Sequence, residues 1–183
     1  MMHALRFVPA LAGMTLMFAC VRPDEEADQP PPELPAPEPA PAQPAAQAPD
    51  TTEAAFWAYL RDEDYRSWPL WPGKGELYTG QEPHGMLLTT YVSPLALDAL
   101  TSGSPMMPEG AIIVKENYAP DGTFMAVTAM HKVAGYDPEH NDWFWAKWDT
   151  AGVAEVSGRV EMCATCHGAN AAADYLMTPR PQT

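Results

Sequence analysis

The spacing of hydrophobic positions changes along the chain in a way that separates helices from strands. Phe56, Trp57 and Leu60 recur at helical spacing behind Thr51-Thr52-Glu53, where a threonine can cap the first turn, and the pattern runs on through Asp64 to Trp68. The buried stripe of this helix would be Phe56, Leu60 and Tyr59, with Arg61, Asp62 and Glu63 in water. Trp68 to Gly75 carries two prolines and two glycines, so it reads as a loop whose tryptophans need shelter on the domain. His84–Val92, Gly110–Tyr118, Phe124–Val133 and Asp142–Trp148 are rich in β-branched and aromatic residues and have strand length. Ala119-Pro120-Asp121-Gly122 and Gly135-Tyr136-Asp137-Pro138 are turns between them, and Ser93-Pro94 opens a short helix through Leu100. Val156 to Cys166 reads as a last helix. Sequential strands joined by short turns predict an antiparallel β-sheet meander; with flanking helices the fold class is α+β.

Ahead of this domain the pattern is different. Met1–Arg6 is a short segment containing Arg6, and Phe7–Ala19 is apolar and uncharged. At about a dozen residues this run fits a signal peptide, here residues 1–19, and is too short to span a bilayer. It ends in Met17-Phe18-Ala19-Cys20, which resembles a bacterial lipobox with Cys20 as the lipidation site, although Phe18 is bulky for that pattern. An ordinary signal peptide cut nearby is the other reading. Residues 20–50 hold about half of the chain's 21 prolines and almost no large apolar side chains, which suits an extended, disordered tether. The expected location is the periplasm, with contact to the membrane only through an N-terminal lipid.

Residues 51–183 are then the size of one domain with a real core. The chain has 24 acidic and 10 basic side chains and a formal net charge of −14, which argues against nucleic acid as a partner. A charged protein partner would be basic.

The chemistry concentrates at Cys163-Ala164-Thr165-Cys166-His167. Thiols three residues apart lie on one helical turn, where each can add to a haem vinyl group, and the following imidazole can ligate the iron. This is the covalent c-type haem pattern and predicts one haem c, with Cys163 and Cys166 as thioether donors and His167 as proximal ligand. A structural zinc site would need a fourth ligand, and the only other cysteine is Cys20. A redox disulfide would fit a βαβ context that is missing here.

The joint occurrence of Gly110-Ala111-Ile112-Ile113-Val114-Lys115-Glu116, of Gly135-Tyr136-Asp137-Pro138 followed by Asn141-Asp142-Trp143-Phe144-Trp145, and of the C-terminal Cys-x-x-Cys-His resembles the cytochrome P460 family, whose relatives include the cytochromes c′-beta. The resemblance covers roughly Phe56 to Pro179. It implies an antiparallel sheet with flanking helices, a homodimer, and a haem whose sixth position is open or weakly held. Members either oxidise hydroxylamine, passing electrons to an external acceptor such as a basic cytochrome, or bind small gases such as nitric oxide without turnover. An ordinary electron carrier, which is all-helical and needs a second strong ligand, fits the β-rich body less well.

By the same resemblance Lys115 falls where the family's catalytic members cross-link a lysine to the porphyrin. Thr128 falls about where they carry a distal carboxylate, and no Asp or Glu occurs between Gly122 and Tyr136. His131 is the candidate substitute base, with His140 a further histidine to weigh as a ligand. Phe124 and Met130, on one strand face with Thr128, are the expected distal lining, and Met106 and Met125 are expected in the core or pocket.

Overall fold

The computed structural model describes residues 50–180. The signal peptide, Cys20 and all of the tether except Asp50 lie outside the described residues.

Helix α1, Glu53–Asp62, starts where Thr52 accepts a hydrogen bond from the Ala55 amide, and it ends at Asp64, whose φ of 45° is left-handed. The expected continuation to Trp68 is only a 3₁₀ turn, Tyr65–Ser67. The loop that follows packs down as expected. Trp71 is fully buried, and its amide and the Val92 amide pair that loop with the strand carrying Thr90.

Six strands form one antiparallel sheet in sequence order: β1 Tyr78–Thr79, β2 Leu87–Val92, β3 Ile112–Tyr118, β4 Phe124–Lys132, β5 Trp143–Asp149 and β6 Ala154–Gly158. Helix α2, Pro94–Thr101, follows β2 with Ser93 as its cap, and helix α3, Glu161–His167, follows β6. The fold is α+β. The short edge strand β1 has no counterpart in the sequence reading, and two further details differ. The residues from His84 to Met86 precede the strand, and the segment read as one helix from Val156 is a sixth strand followed by a shorter helix. Asp149 explains the second difference: its carboxylate accepts from the Ala151 and Val153 amides, turning the chain back along β5. Gly152 completes that turn at φ 80°, and a Cβ there would lie 2.6 Å from Trp57 Nε1.

Alternation divides the sheet into two apolar faces. On one, Phe56 and Leu60 of α1 pack with Ile112, Val114, Val127, Phe144 and Trp148. On the other, α2 and Trp71 pack with Ile113, Met130, Trp143 and Trp145, and Cys163 of α3 leans on this second layer. The Cys-x-x-Cys-His helix is thereby held over the face that carries Ile113, Met130 and Trp145, three residues in register across β3, β4 and β5.

Candidate functional site

One step along the strands from that apolar row lies a polar one, Lys115, Thr128 and Lys147, again side by side in register. Both rows floor a cavity roofed by Met162, Cys163, Cys166 and His167, with Pro83 and His84 at its side. Its empty space is about 780 Å³ including the mouth, which falls within the range of small-molecule and cofactor sites.

Haem is the group this cavity has to fit, and the residues suit it. Cys163 and Cys166 both line the cavity as free thiols. His167 is buried, and its Nδ1 lies 2.7 Å from the Tyr175 carbonyl oxygen. A carbonyl only accepts, so Nδ1 carries the proton and Nε2 keeps the lone pair a metal needs. Burial holds the His167 imidazole below its usual range, the Tyr175 bond opposing and Lys115 reinforcing that. Trp145 meets the His167 ring edge-on at 4.7 Å, supplying an apolar wall. Among the described residues no three His, Cys, Asp or Glu side chains converge as a metal cluster.

The carbonyl that orients His167 is itself anchored. Asp174, fully buried, accepts from Lys132 Nζ at 2.6 Å, the Met107 amide at 2.7 Å and Asn141 Nδ2 at 3.1 Å. Trp143 Nε1 donates to the Asp174 carbonyl at 3.0 Å. The turn bearing Tyr175 is thus tied to β4, β5 and the loop after α2.

Lys115 points into the cavity, as the register with Thr128 requires, and desolvation pushes its ammonium down to about 8. Thr128 and Met130 also line it. Phe124 does not. β3 and β4 slip register between Asn117 and Tyr118, pairing Asn117 with Ala126 but Tyr118 with Phe124, so Met125 is the extra residue. The bulge turns Phe124 to the opposite face, where it packs edge-on with Tyr118 and beneath Arg66. Met125 and Met106 are exposed rather than buried.

His131 is likewise on the wrong face to serve as a distal base. One residue from Met130, it points to the α1 layer and lies 5.4 Å from the Phe56 ring, with both ring nitrogens unpartnered. His140 pairs with Asp137 at 3.0 Å and lines a separate cavity with Arg159 and Glu161. Burial alone pushes the His131 imidazole down to about 4 from 6.5. Between those values the unfolded chain binds more protons than the folded one, so stability falls as pH falls, by about 2 kcal/mol at pH 5. His131→Leu is expected to remove that loss and, by deleting unpaired buried nitrogens, to gain about 1 kcal/mol at pH 7. Urea midpoints of both proteins at pH 7 and pH 5 check this; an unchanged pH dependence in the variant defeats the assignment.

His84 is the site residue that sequence reasoning missed. It sits in the loop before β2, half-buried, with its ring centre 6.0 Å from that of His167 and its Nδ1 3.3 Å from Thr128 Oγ1. Desolvation first, then Lys115 and His167, push it down to about 3, so its imidazole is neutral. Nothing in its surroundings in the sequence marks it, because only the fold brings that loop over α3.

A family model described as Cytochrome P460 matches residues 62–178. No curated protein matches the chain.

Proposed function

The chain belongs to the cytochrome P460 family and is therefore a haem protein, and from this we propose that it is an exported mono-haem c-type protein that binds nitric oxide or a related small nitrogenous ligand. What supports this reading most is the cavity lining: lysines, a threonine, His84 and apolar side chains beside the Cys163, Cys166 and His167 cluster, and no carboxylate. Oxidising hydroxylamine releases protons and needs a base next to the ligand; Thr128, where that base is expected, cannot accept one at neutral pH, and the His84 imidazole beside it, pushed down to about 3, is a weak acceptor. A haem held here would supply an iron able to take a diatomic ligand and change oxidation state. His167, its ring fixed through Nδ1 by the Tyr175 carbonyl, would offer Nε2 to it. Ile113, Met130 and Trp145 supply the cavity's apolar wall, and of its two lysines Lys147 is paired with Glu155 at 2.6 Å, which leaves Lys115 as the free amine. Export, with or without a lipid on Cys20, rests on the N-terminal sequence, as do a homodimer and a basic redox partner on resemblance and charge.

One observation favours a second reading, hydroxylamine oxidation with an external electron acceptor. Lys115 has a substantial neutral fraction near pH 8 and lines the haem cavity, the state an amine needs to attack a macrocycle carbon. The reduced, haem-loaded protein decides between them. Our reading expects an ordinary c-type Soret band that is the same in Lys115→Ala, binding of carbon monoxide and nitric oxide by the ferrous protein, and no hydroxylamine turnover with an artificial acceptor. A red-shifted, broadened Soret band that reverts in Lys115→Ala, with turnover, would establish the second. Failure of the ferrous protein to bind either gas overturns both.

A further inference from the structure

We propose that His84 is the sixth ligand of the haem iron in the ligand-free protein, so that an incoming small molecule must displace an internal imidazole. The proposal rests on the haem reading above. With metal–imidazole bonds of about 2 Å, two rings that share one metal have their centres roughly 6 Å apart. The His84 and His167 rings are 6.0 Å apart.

The cavities support the same placement. Besides the one already described, a second of about 740 Å³ runs toward Tyr78, Gln81 and Met177. The two share Pro83, His84, Lys115, Cys166 and His167, so the histidine pair stands between them. A porphyrin centred between the two imidazoles would extend into both, with Cys166 common to both spaces and Cys163 on the first.

The hydrogen bonding is that of a ligand pair. Tyr175 occupies Nδ1 of His167 and Thr128 Oγ1 occupies Nδ1 of His84, at 2.7 Å and 3.3 Å, which leaves Nε2 free on each ring. Thr128 is held in turn by Asn117 Nδ2 at 3.4 Å. In this arrangement the residue that replaces the expected carboxylate orients a histidine, as outer hydrogen bonds do for metal ligands generally. The loop bearing His84 lies outside the strands, so it can withdraw without breaking the sheet.

The test uses the full haem-loaded protein. The ferric wild type is expected to be six-coordinate and low-spin by optical and electron paramagnetic resonance spectra. His84→Ala should be high-spin, with added imidazole restoring the low-spin form, and His84→Phe should repeat the change with the loop filled. Ferrous carbon monoxide affinity should rise at least about tenfold in His84→Ala, because the competing imidazole is gone. A high-spin wild type, or a low-spin spectrum that persists in both variants, overturns the proposal. Absence of covalently attached haem from the wild type would instead defeat the haem reading beneath it.

Discussion

Replacing Asp174 with alanine is expected to cost about 3–5 kcal/mol of unfolding free energy. The cost follows from what the carboxylate faces. Asp174 is fully buried, and Lys132, whose side chain is nearly so, would be left with an uncompensated charge against the Trp143 ring. The Met107 amide and Asn141 Nδ2 would lose acceptors in the same place. Asp174→Asn keeps the shape and one acceptor oxygen, and should lose less than alanine while still leaving Lys132 unneutralised. Urea denaturation at neutral pH measures both; a loss below about 1 kcal/mol for Asp174→Ala would show that water replaces the carboxylate there. Because the same turn presents the Tyr175 carbonyl to His167, the damage reaches the imidazole proposed as the proximal ligand, while the proposed thioethers at Cys163 and Cys166 would keep the haem on the chain.

This anchoring was not legible in the sequence, and the reason is topological. Lys132 and Asp174 are 42 residues apart, and no local pattern pairs a strand-end lysine with a turn aspartate. What local pattern does encode was readable. The β-branched and aromatic runs of Ile112–Tyr118 and Trp143–Asp149 and the turn residues between strands gave the sheet order, and Ser93-Pro94 gave the start of α2. Alternation also put Lys115 on the face of Ile113, but which face held the site depended on where α3 came to rest. Phe124 was misplaced because one extra residue, Met125, inverts the alternation, and a bulge has no signal in a run of apolar residues. The sixth strand had a signal in Asp149-Thr150-Ala151-Gly152, a turn sequence followed by five residues of alternating exposure. His84 had none, since its chemistry comes from meeting His167 across 83 residues of chain.

Removing both thiols, Cys163→Ala with Cys166→Ala, is expected to abolish acid-stable haem completely while leaving the fold intact. Cys166 is exposed and Cys163 half-buried against the second apolar layer, so the double change removes little packing. His167 stays hydrogen-bonded to Tyr175, and the cavity walls come from β3, β4 and β5, so haem can still bind there without a covalent bond. Acidified organic extraction separates the cases: pigment stays with the wild-type polypeptide and leaves the double variant. Each single variant should retain pigment through its remaining thioether, with Cys163→Ala the less stable because its side chain packs on the core. Lys115 makes the experiment more informative. Its amine lines the cavity and desolvation pushes it down to about 8, so pigment that survives acid in the double variant and disappears on adding Lys115→Ala would place a covalent bond at that amine. That outcome would contradict attachment through thioethers alone and move the chemistry of the site toward hydroxylamine oxidation.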